Sequence, residues 1–385
     1  MRLTDCHNFH DFRELARRRL PSPIFNYIDG AADDEVTHRR NSASFEDCDL
    51  VPDVLRGVAA IDLSVTVMGQ KLALPVYCSP TALQRLFHHE GERAVGAAAA
   101  KHGTLFGVSS LGTVSLEEVR ARYATPQAYQ FYFHKDRGLN RAMLERAKAA
   151  GVQVLMLTVD TITGGNRERD LRTGFKMPLE LRASALLAFA ARPRWAWDYL
   201  THKRFELPQL DPHVPMRGGA ISVGRYFSEM LDPAMDWRDV EEMVRFWDGQ
   251  FCLKGVMSVA DARRAADIGC TGIILSNHGG RQLDGSRSAF DQLAEVVDAV
   301  GDRIDVMMDG GVRRGTHVLK ALALGARAVG IGRYYLFPLA AAGQAGVERA
   351  LALMRAEIER GMKLMGCTSI RQLGRGHLRF RSPTG

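Results

Sequence analysis

From residue 74 onward, short apolar runs alternate with longer stretches that have the period of an amphipathic helix. This alternation is typical of βα units on a parallel sheet. We predict eight strands, at 75–79, 105–109, 128–133, 154–159, 251–255, 272–276, 305–308 and 328–332. Helices are predicted between them, for example at 91–102, 139–150, 260–268 and 314–324. Eight units favour a closed (β/α)8 TIM barrel over an open sheet, because eight is the number at which such barrels close.

The carboxyl end of every predicted strand carries polar or glycine residues. Reactive groups lie at this end of the strands in (β/α)8 barrels, whereas the opposite end serves stability. An active site is therefore predicted at this edge, near Ser79, Pro80, Thr81, Ser109, Gln130, Tyr132, Thr158, Asp160, Lys254, Ser276, His278, Asp309, Gly311, Gly332 and Arg333.

Two regions of the predicted single domain, 1–385, do not follow the alternation of strands and helices. Residues 1–73 are predicted to form a helical and irregular extension, with helical segments at 11–19, near 25–28 and at 33–41, and a hairpin turn at 68–70. Residues 161–235 form an insertion after strand four that far exceeds the ~2–6 residues of an ordinary βα loop. An insertion of this length is expected to serve as a lid, a subunit contact or a surface-binding segment.

The middle of the insertion, 181–205, mixes aromatic and aliphatic residues with arginines and lysines. It contains Leu186, Trp195 and Trp197 together with Arg182 and Arg194. One interpretation is a lid or subunit contact whose apolar residues pack on the barrel. The other is a basic amphipathic patch that lies on an anionic membrane surface. Both interpretations stay open at the level of sequence.

Composition and charge fit a globular protein without nucleic-acid partners. The formal net charge is +7, and the lysines and arginines are scattered rather than clustered. No apolar stretch approaches the ~20 residues of a membrane span, and the first residues lack the apolar centre of a signal peptide. Six widely spaced cysteines without a C-x-x-C pair indicate free thiols in a reducing cytoplasm. The localisation expected is therefore cytoplasmic, or peripheral on the inner face of the cell membrane.

No metal site is predicted. His88, His89 and Glu90 are consecutive, but neighbouring histidines in a loop are expected to point in different directions.

The loop after strand six contains side chains that can take part in a reaction, together with glycines that permit tight turns. His278 and Arg281 are separated by the paired glycines Gly279 and Gly280 at the tip of a buried strand. A histidine can accept a proton near neutral pH, and an arginine can bind a carboxylate with two parallel hydrogen bonds. This loop is therefore predicted to act on a small 2-hydroxy acid.

The last two predicted strands end in glycine turns followed by arginines. Backbone N–H groups in such turns approach phosphates closely, and the last two βα loops are a common phosphate site on this fold. Arg313 and Arg333 are predicted counter-ions. No G-x-G-x-x-G or P-loop motif is present, so a nicotinamide cofactor in a Rossmann domain is not expected.

The chain resembles the FMN-dependent L-2-hydroxy acid dehydrogenases and oxidases, which include glycolate oxidase, flavocytochrome b2, mandelate dehydrogenase and quinone-linked L-lactate dehydrogenase. The resemblance runs from about residue 12 to residue 373 and is closest to the L-lactate dehydrogenase branch. It rests on Ser276-Asn277-His278-Gly279-Gly280-Arg281-Gln282-Leu283-Asp284, with Tyr27-Ile28-Asp29-Gly30, Ser79-Pro80-Thr81-Ala82, Leu157-Thr158-Val159-Asp160, Lys254-Gly255 and Asp309-Gly310-Gly311 in the same order.

The resemblance implies a role for each residue of the substrate site. His278 takes the hydroxyl proton while hydride passes to flavin N5, or acts in a carbanion route that uses the same base. Asp160 orients His278. The substrate-binding residues it implies are Tyr27, Tyr132, Arg167, His278 and Arg281.

The resemblance also implies FMN as the cofactor. Lys254 would lie beside flavin N1 and O2, where a cation stabilises the reduced ring. The other implied cofactor residues are Pro80, Thr81, Ala82, Ser109, Gln130, Thr158, Ser276, Asp309, Gly311, Arg313, Gly332 and Arg333.

The expected activity is oxidation of a lactate-like L-2-hydroxy acid to the 2-oxo acid, with quinone or oxygen as electron acceptor. The family's tetramers suggest a homo-oligomer. Leu111 stands where plant-type glycolate oxidases carry tryptophan, so their substrate preference is not transferred. The alternatives are a relative that modifies a peptide-derived redox cofactor, as in mycofactocin-type maturation, and a flavin-binding scaffold without turnover.

Overall fold

Eight parallel strands form a closed barrel in the computed structural model. We label them β1 to β8 in chain order: Val76–Cys78, Phe106–Ser109, Gln127–Tyr132, Val154–Thr158, Gln250–Val256, Gly272–Leu275, Asp305–Asp309 and Val329–Ile331. Each strand pairs with its neighbour in sequence, and β8 closes the barrel by pairing with β1, where Val329 lies opposite Val76. The predicted (β/α)8 architecture is confirmed, and each predicted strand bound lies within one residue of the observed one.

The structure describes residues 1–173, 188–202, 206–210 and 229–381. Helices in these ranges are Phe9–Arg19, Ser22–Asp29, Val36–Ala43, Gln84–Phe87, Glu92–His102, Leu116–Arg122, Arg137–Ala149, Glu168–Thr173, Pro193–Thr201, Trp237–Trp247, Val259–Asp267, Ala289–Val300, Gly315–Ala323 and Arg333–Leu364. Short strands outside the barrel are Cys48–Leu50, which pairs with Leu378–Phe380, and Val65–Val67, which pairs with Gln70–Leu72.

The small hairpin Val65–Leu72 closes the amino-terminal end of the barrel. Met68 lies at its tip, is 1% exposed and packs with inward-facing residues such as Met156, Ile274 and Met307. The backbone N–H of Met68 donates to Oδ2 of Asp305, at the start of β7, over 2.6 Å. Because this end is plugged, the opposite end is the one available for a site.

The N-terminal helices reach the carboxyl ends of the strands. The carboxylate of Asp284, in the loop after β6, accepts from the backbone N–H groups of Val36 and Thr37 at the start of their helix. This arrangement satisfies donors that a helix leaves unpaired and matches its dipole. The side-chain amides of Asn41 and Asn277 bond to each other at 2.7 and 2.8 Å. The extension is thereby fixed against the loop that carries His278.

Part of the insertion packs on the barrel. Trp195 is buried and stacks between Phe189 and Tyr199, and its Nε1 donates to the carbonyl oxygen of Leu86 over 3.0 Å. The same helix exposes Trp197 (69%) and Leu200 (78%). Arg182, Leu186, Lys203 and Arg204, which contributed to the predicted basic patch, lie outside the described residues. Within the described ranges, no helix is both long and apolar enough to cross a membrane.

Candidate active site

A pocket lies at the carboxyl end of the barrel, beneath the helix Ser22–Asp29. Of the predicted site residues, those lining it are Tyr27, Pro80, Thr81, Ala82, Ser109, Tyr132, Arg167, Lys254, His278, Arg281, Asp309, Gly311, Arg313, Gly332 and Arg333. The other four are not part of this lining: Asp160, Gln130 and Ser276 bond to His278, Ser109 and Lys254, which are, and Thr158 bonds to Gln130.

His278 is held against Asp160 by an unusual backbone. Nδ1 of the imidazole lies 3.1 Å from Oδ1 of Asp160 and 3.3 Å from Oδ2. His278 has φ 58°, and Gly279 and Gly280 follow at 66° and 78°. A left-handed conformation is uncommon at a residue other than glycine, and such strained residues recur at active sites. Because the carboxylate can only accept, Nδ1 carries the proton and Nε2 is left able to take another.

Two guanidinium groups flank the Tyr27 ring. That of Arg281 lies 4.9 Å from the ring centroid, and that of Arg167 lies 5.4 Å from it. Nη1 of Arg281 donates to the carbonyl oxygens of Tyr27 and Gly30. Among the described residues, Nη2 and Nε have no hydrogen-bond acceptor and are available to a ligand. Burial and the charge of Arg167 lower the pKa of Arg281. Two cations so close together favour an anionic ligand.

Tyr132 lies at the end of β3 and also lines this part of the pocket. Burial and the nearby charge of Asp160 raise the pKa of Tyr132. Its side chain is therefore a neutral hydroxyl across the physiological range and can donate a hydrogen bond.

Lys254 on β5 is a buried cation with a buried partner. Its Nζ lies 3.0 Å from Oδ2 of Asp309 and donates to Oγ of Ser276 over 2.9 Å. Ser276 in turn donates to Oδ1 of Asp309 over 2.6 Å. Burial alone would lower the pKa of Lys254, but the charges of Asp309 and Asp160 outweigh it and raise the pKa. The pocket therefore has a fixed positive charge on its floor.

A second buried polar chain connects three strands. Oγ of Ser109 donates to Oε1 of Gln130, whose Nε2 donates to Oγ1 of Thr158, each over 2.9 Å. These bonds fix the orientation of the Gln130 amide and offer donors and acceptors to a heteroaromatic ring edge.

The surroundings of Arg313 and Arg333 show whether this part of the pocket could bind a phosphate. Burial lowers the pKa of Arg313 to about 10, and its Nη1 donates to the carbonyl oxygen of Val312. Arg333 donates to the carbonyl oxygens of Ile28, Gly279 and Gly30. Among the described residues, neither arginine has a carboxylate within ion-pair distance. Two partly buried cations without anionic partners fit a phosphate group.

Sequence reasoning did not single out two residues that support the pocket. Oδ2 of Asp170 lies 3.2 Å from Nε of Arg167, and burial raises the pKa of Asp170. Gln282 donates to the carbonyl oxygens of Asp160 and Thr163, at 2.9 and 2.8 Å, and so ties the start of the insertion to the His278 loop. Gln282 lies within the motif 276–284, and Asp170 lies three residues after Arg167. Their contacts depend on the insertion folding back, which the local pattern does not specify.

The fold and this pocket define a flavin-dependent (β/α)8-barrel oxidoreductase. The chain matches the family described as FMN-dependent dehydrogenase over residues 16–380. It is 41% identical to an L-lactate dehydrogenase of Caulobacter vibrioides over 97% of both chains. It is also 40% identical to an L-lactate oxidase of Nostoc sp., over 95% of this chain and 96% of that one.

Solved structures give the same result. A monotopic membrane protein, (S)-mandelate dehydrogenase, superposes with a TM-score of 0.93 at 32% identity, covering 98% of this chain and 100% of that one. A mandelate oxidase superposes with a TM-score of 0.82 at 35% identity, covering 97% and 98%.

The chain belongs to the FMN-dependent dehydrogenase family. It is an FMN-dependent 2-hydroxy acid dehydrogenase or oxidase, which confirms the predicted enzyme class and cofactor. The alternative of a relative that modifies a peptide-derived redox cofactor is not supported by these comparisons.

Proposed function

We propose that the protein oxidises a small, lactate-like L-2-hydroxy acid to its 2-oxo acid and passes the electrons to a quinone or to oxygen. The observation that carries the proposal is the convergence of the His278–Asp160 pair with Arg281 and Arg167 in one pocket. A base and two carboxylate-binding cations suit a substrate that has a hydroxyl and a carboxylate on adjacent carbons.

In the proposed mechanism, Arg281 and Arg167 bind the substrate carboxylate while Tyr27 packs between them. Nε2 of His278 accepts the hydroxyl proton, and Asp160 stabilises the imidazolium that forms. Tyr132 donates a hydrogen bond to the substrate oxygen. FMN, when bound, would supply the two-electron redox chemistry that the substrate and the acceptor require. His278 serves as the base whether the α-hydrogen leaves as hydride or as a proton in a carbanion route.

The cofactor would be held by three groups of residues. Lys254, fixed by Asp309 and Ser276, provides positive charge near the ring. Ser109, Gln130 and Thr158 would hold the edge of the ring, and Pro80, Thr81 and Ala82 would hold its face. The residues proposed for the ribityl chain and phosphate are Asp309, Gly311, Arg313, Gly332 and Arg333.

A lactate-like substrate is favoured by two observations. The relatives at about 40% identity are named for L-lactate. Leu111 and Phe87, both buried, line the pocket beside Tyr27 and restrict the room for a substrate side chain.

The test is anaerobic mixing of FMN-loaded protein with L-lactate, (S)-mandelate and longer L-2-hydroxy acids, with D-lactate as the control. The proposal predicts flavin bleaching by L-lactate and no bleaching by D-lactate. Bleaching by (S)-mandelate alone would contradict the lactate assignment. Oxygen or a soluble quinone is then admitted, and the faster return of colour identifies the acceptor.

We propose further that the insertion places the enzyme on an anionic membrane surface. Trp197 and Leu200 are exposed on one helix that also carries Arg194, a combination suited to the interface. The similar (S)-mandelate dehydrogenase is described as a monotopic membrane protein. Co-sedimentation with anionic vesicles should be lost in W197S/L200S. It should persist in L55S/L364S, which removes two exposed leucines elsewhere.

If both double variants sediment like the wild type, the membrane proposal is wrong. If W197S/L200S instead changes the oligomer mass by light scattering, the insertion is a subunit contact. We propose a homotetramer by analogy with the family, and the same light-scattering measurement tests it.

A further inference from the structure

Three metal-ligating side chains converge outside the pocket. His89 lies in the loop after the helix Gln84–Phe87, and Asp198 and His202 lie four residues apart at the end of the helix Pro193–Thr201. One ligand atom from each comes within 4.8 Å of the others. The rings of His89 and His202 stack with centroids 3.9 Å apart, and those of His88 and His89 stack at 4.5 Å. The rings of the two neighbouring histidines therefore lie side by side, although only His89 belongs to the ligand set.

We propose that His89, Asp198 and His202 bind a divalent transition-metal ion, with zinc the best fit. Two imidazole nitrogens and one carboxylate oxygen form a usual zinc donor set, and water completes the tetrahedron. Metal–ligand bonds of about 2.0–2.1 Å place ligand atoms about 3.3 Å apart. The cluster must contract from its present spacing, with the stacked rings opening toward the ion. His202 is exposed at a helix end.

The hydrogen bonds around the cluster leave lone pairs for the ion. Nδ1 of His202 lies 2.8 Å from the carbonyl oxygen of Asp198. A carbonyl can only accept, so Nδ1 carries the proton and Nε2 is free to coordinate. Nδ1 of His89 is buried and has no hydrogen-bond partner among the described residues. A buried nitrogen without a partner is costly, and coordination would satisfy it.

Charge around the cluster is balanced rather than strongly negative. Nη2 of Arg19 donates to Oδ2 of Asp198 over 2.6 Å, which leaves Oδ1 for the ion. His88 is not part of the ligand set, and its Nδ1 lies 3.5 Å from Oε2 of Glu90. The arginine competes with the metal for the carboxylate, so we expect moderate affinity rather than the tight binding of a structural zinc finger.

The cluster connects the insertion helix to the wall of the pocket. Trp195 of that helix already bonds to Leu86, and the next residue, Phe87, lines the pocket with its ring 6.2 Å from that of Tyr27. A bound ion would fasten the insertion to this wall. Its expected effect is therefore on stability, without a part in the oxidation.

The test uses untagged, FMN-loaded, full-length protein. Calorimetric titration with zinc chloride should give one ion per chain with a dissociation constant of about 10 μM or tighter. H202A should weaken binding by about tenfold or more, as should D198N, while H7A, which removes an exposed histidine elsewhere, should not. The melting temperature should rise with zinc in wild type and H7A only.

Copper(II) substituted for zinc provides the second measurement. Its electron paramagnetic resonance spectrum should show two coordinated nitrogens in the wild type and one in H202A. Two outcomes would overturn the proposal: no saturable zinc binding, or equal binding and equal nitrogen couplings in wild type and H202A.

Discussion

Nδ1 of His278 and Oδ1 of Asp160 lie 3.1 Å apart across the mouth of the barrel, although 118 residues separate them in the chain. One side chain follows β6 and the other follows β4. The barrel brings the two strand ends together, and the left-handed backbone at His278 turns its ring toward the carboxylate. A base with a fixed tautomer is the result.

Replacing His278 with glutamine should leave FMN bound and the protein yellow. Flavin reduction by L-lactate should slow by about 10²–10⁴-fold, because glutamine cannot accept the proton. Stopped-flow absorbance under anaerobic conditions measures this rate. H102Q, which changes a histidine at a helix end away from the pocket, serves as the control. A rate in H278Q equal to that of the control would remove His278 from the mechanism.

Replacing Asp160 with asparagine should slow flavin reduction less than loss of the histidine does. The amide can still bond to Nδ1, but it cannot stabilise the imidazolium. The substitution should therefore lower the limiting rate of flavin reduction and leave the affinity for the substrate unchanged. If D160N instead needed a higher substrate concentration for half-maximal reduction and kept a normal limiting rate, this assignment would be contradicted.

Replacing Arg281 with lysine should raise the Michaelis constant by about 10–100-fold. An ammonium cannot reproduce a planar two-point contact with the carboxylate, and a hydrogen bond to a charged group contributes about 1.5–3 kcal/mol. R349K is a matched control, because Arg349 also bonds to backbone carbonyl oxygens but lies at Cys6, outside the pocket lining. Steady-state kinetics that do not distinguish the two variants would contradict the role of Arg281.

Replacing Lys254 with methionine should destabilise the protein by about 3–5 kcal/mol, because the buried Asp309 loses its partner. It should also lower the reduction potential of the bound flavin, since a nearby cation favours the reduced ring. Chemical unfolding and a redox titration measure the two effects separately. K320M removes a lysine that bonds to a carbonyl oxygen instead. An unchanged reduction potential of the flavin in K254M would show that Lys254 lies too far from the ring to stabilise its reduced form.

The ionisation of Asp29 should make the free energy of unfolding of the protein depend on pH in the acid range. Burial raises its pKa, but hydrogen bonds and charges from Arg13, with Arg333 and Arg169, outweigh that effect and lower the pKa. A carboxyl with a lowered folded-state pKa contributes stability above its unfolded pKa of about 3.9, and that contribution is lost as pH falls through the folded value.

D29N should therefore be less stable than wild type by about 1–3 kcal/mol near pH 7, since the two arginines that hydrogen-bond to Asp29 are partly exposed. The difference should shrink below about pH 4. Urea unfolding across pH measures it, with the exposed D34N as control. A difference that does not change with pH would contradict the argument.

The sequence predicted the barrel well because most of its strands are short, largely apolar runs that are buried on both faces. Val154–Thr158 and Gly272–Leu275 show this clearly, since every residue in them is buried. Helical period and turn residues then set the intervals between strands. The common edge of a parallel barrel follows from topology, so residues at strand ends could be placed near one another without coordinates.

Contacts made by the extension and the insertion could not be predicted in the same way. The position of Tyr27 depends on how Asp29 pairs with Arg13 and Arg169, and these bonds join segments up to 140 residues apart. The pairing of Lys254 with Asp309 and the meeting of His89 with His202 likewise depend on tertiary packing. Periodicity reports which face of an element is buried, but it does not report the partner.

The reaction proposed for this pocket is the removal of two electrons from C2 of an L-2-hydroxy acid. Its most direct test is rapid anaerobic mixing of the FMN-loaded protein with L-lactate and with L-lactate deuterated at C2, followed by flavin absorbance. We expect complete bleaching, formation of pyruvate and a slower rate with the deuterated substrate. A flavin that keeps its colour with L-lactate and with every other L-2-hydroxy acid would contradict it.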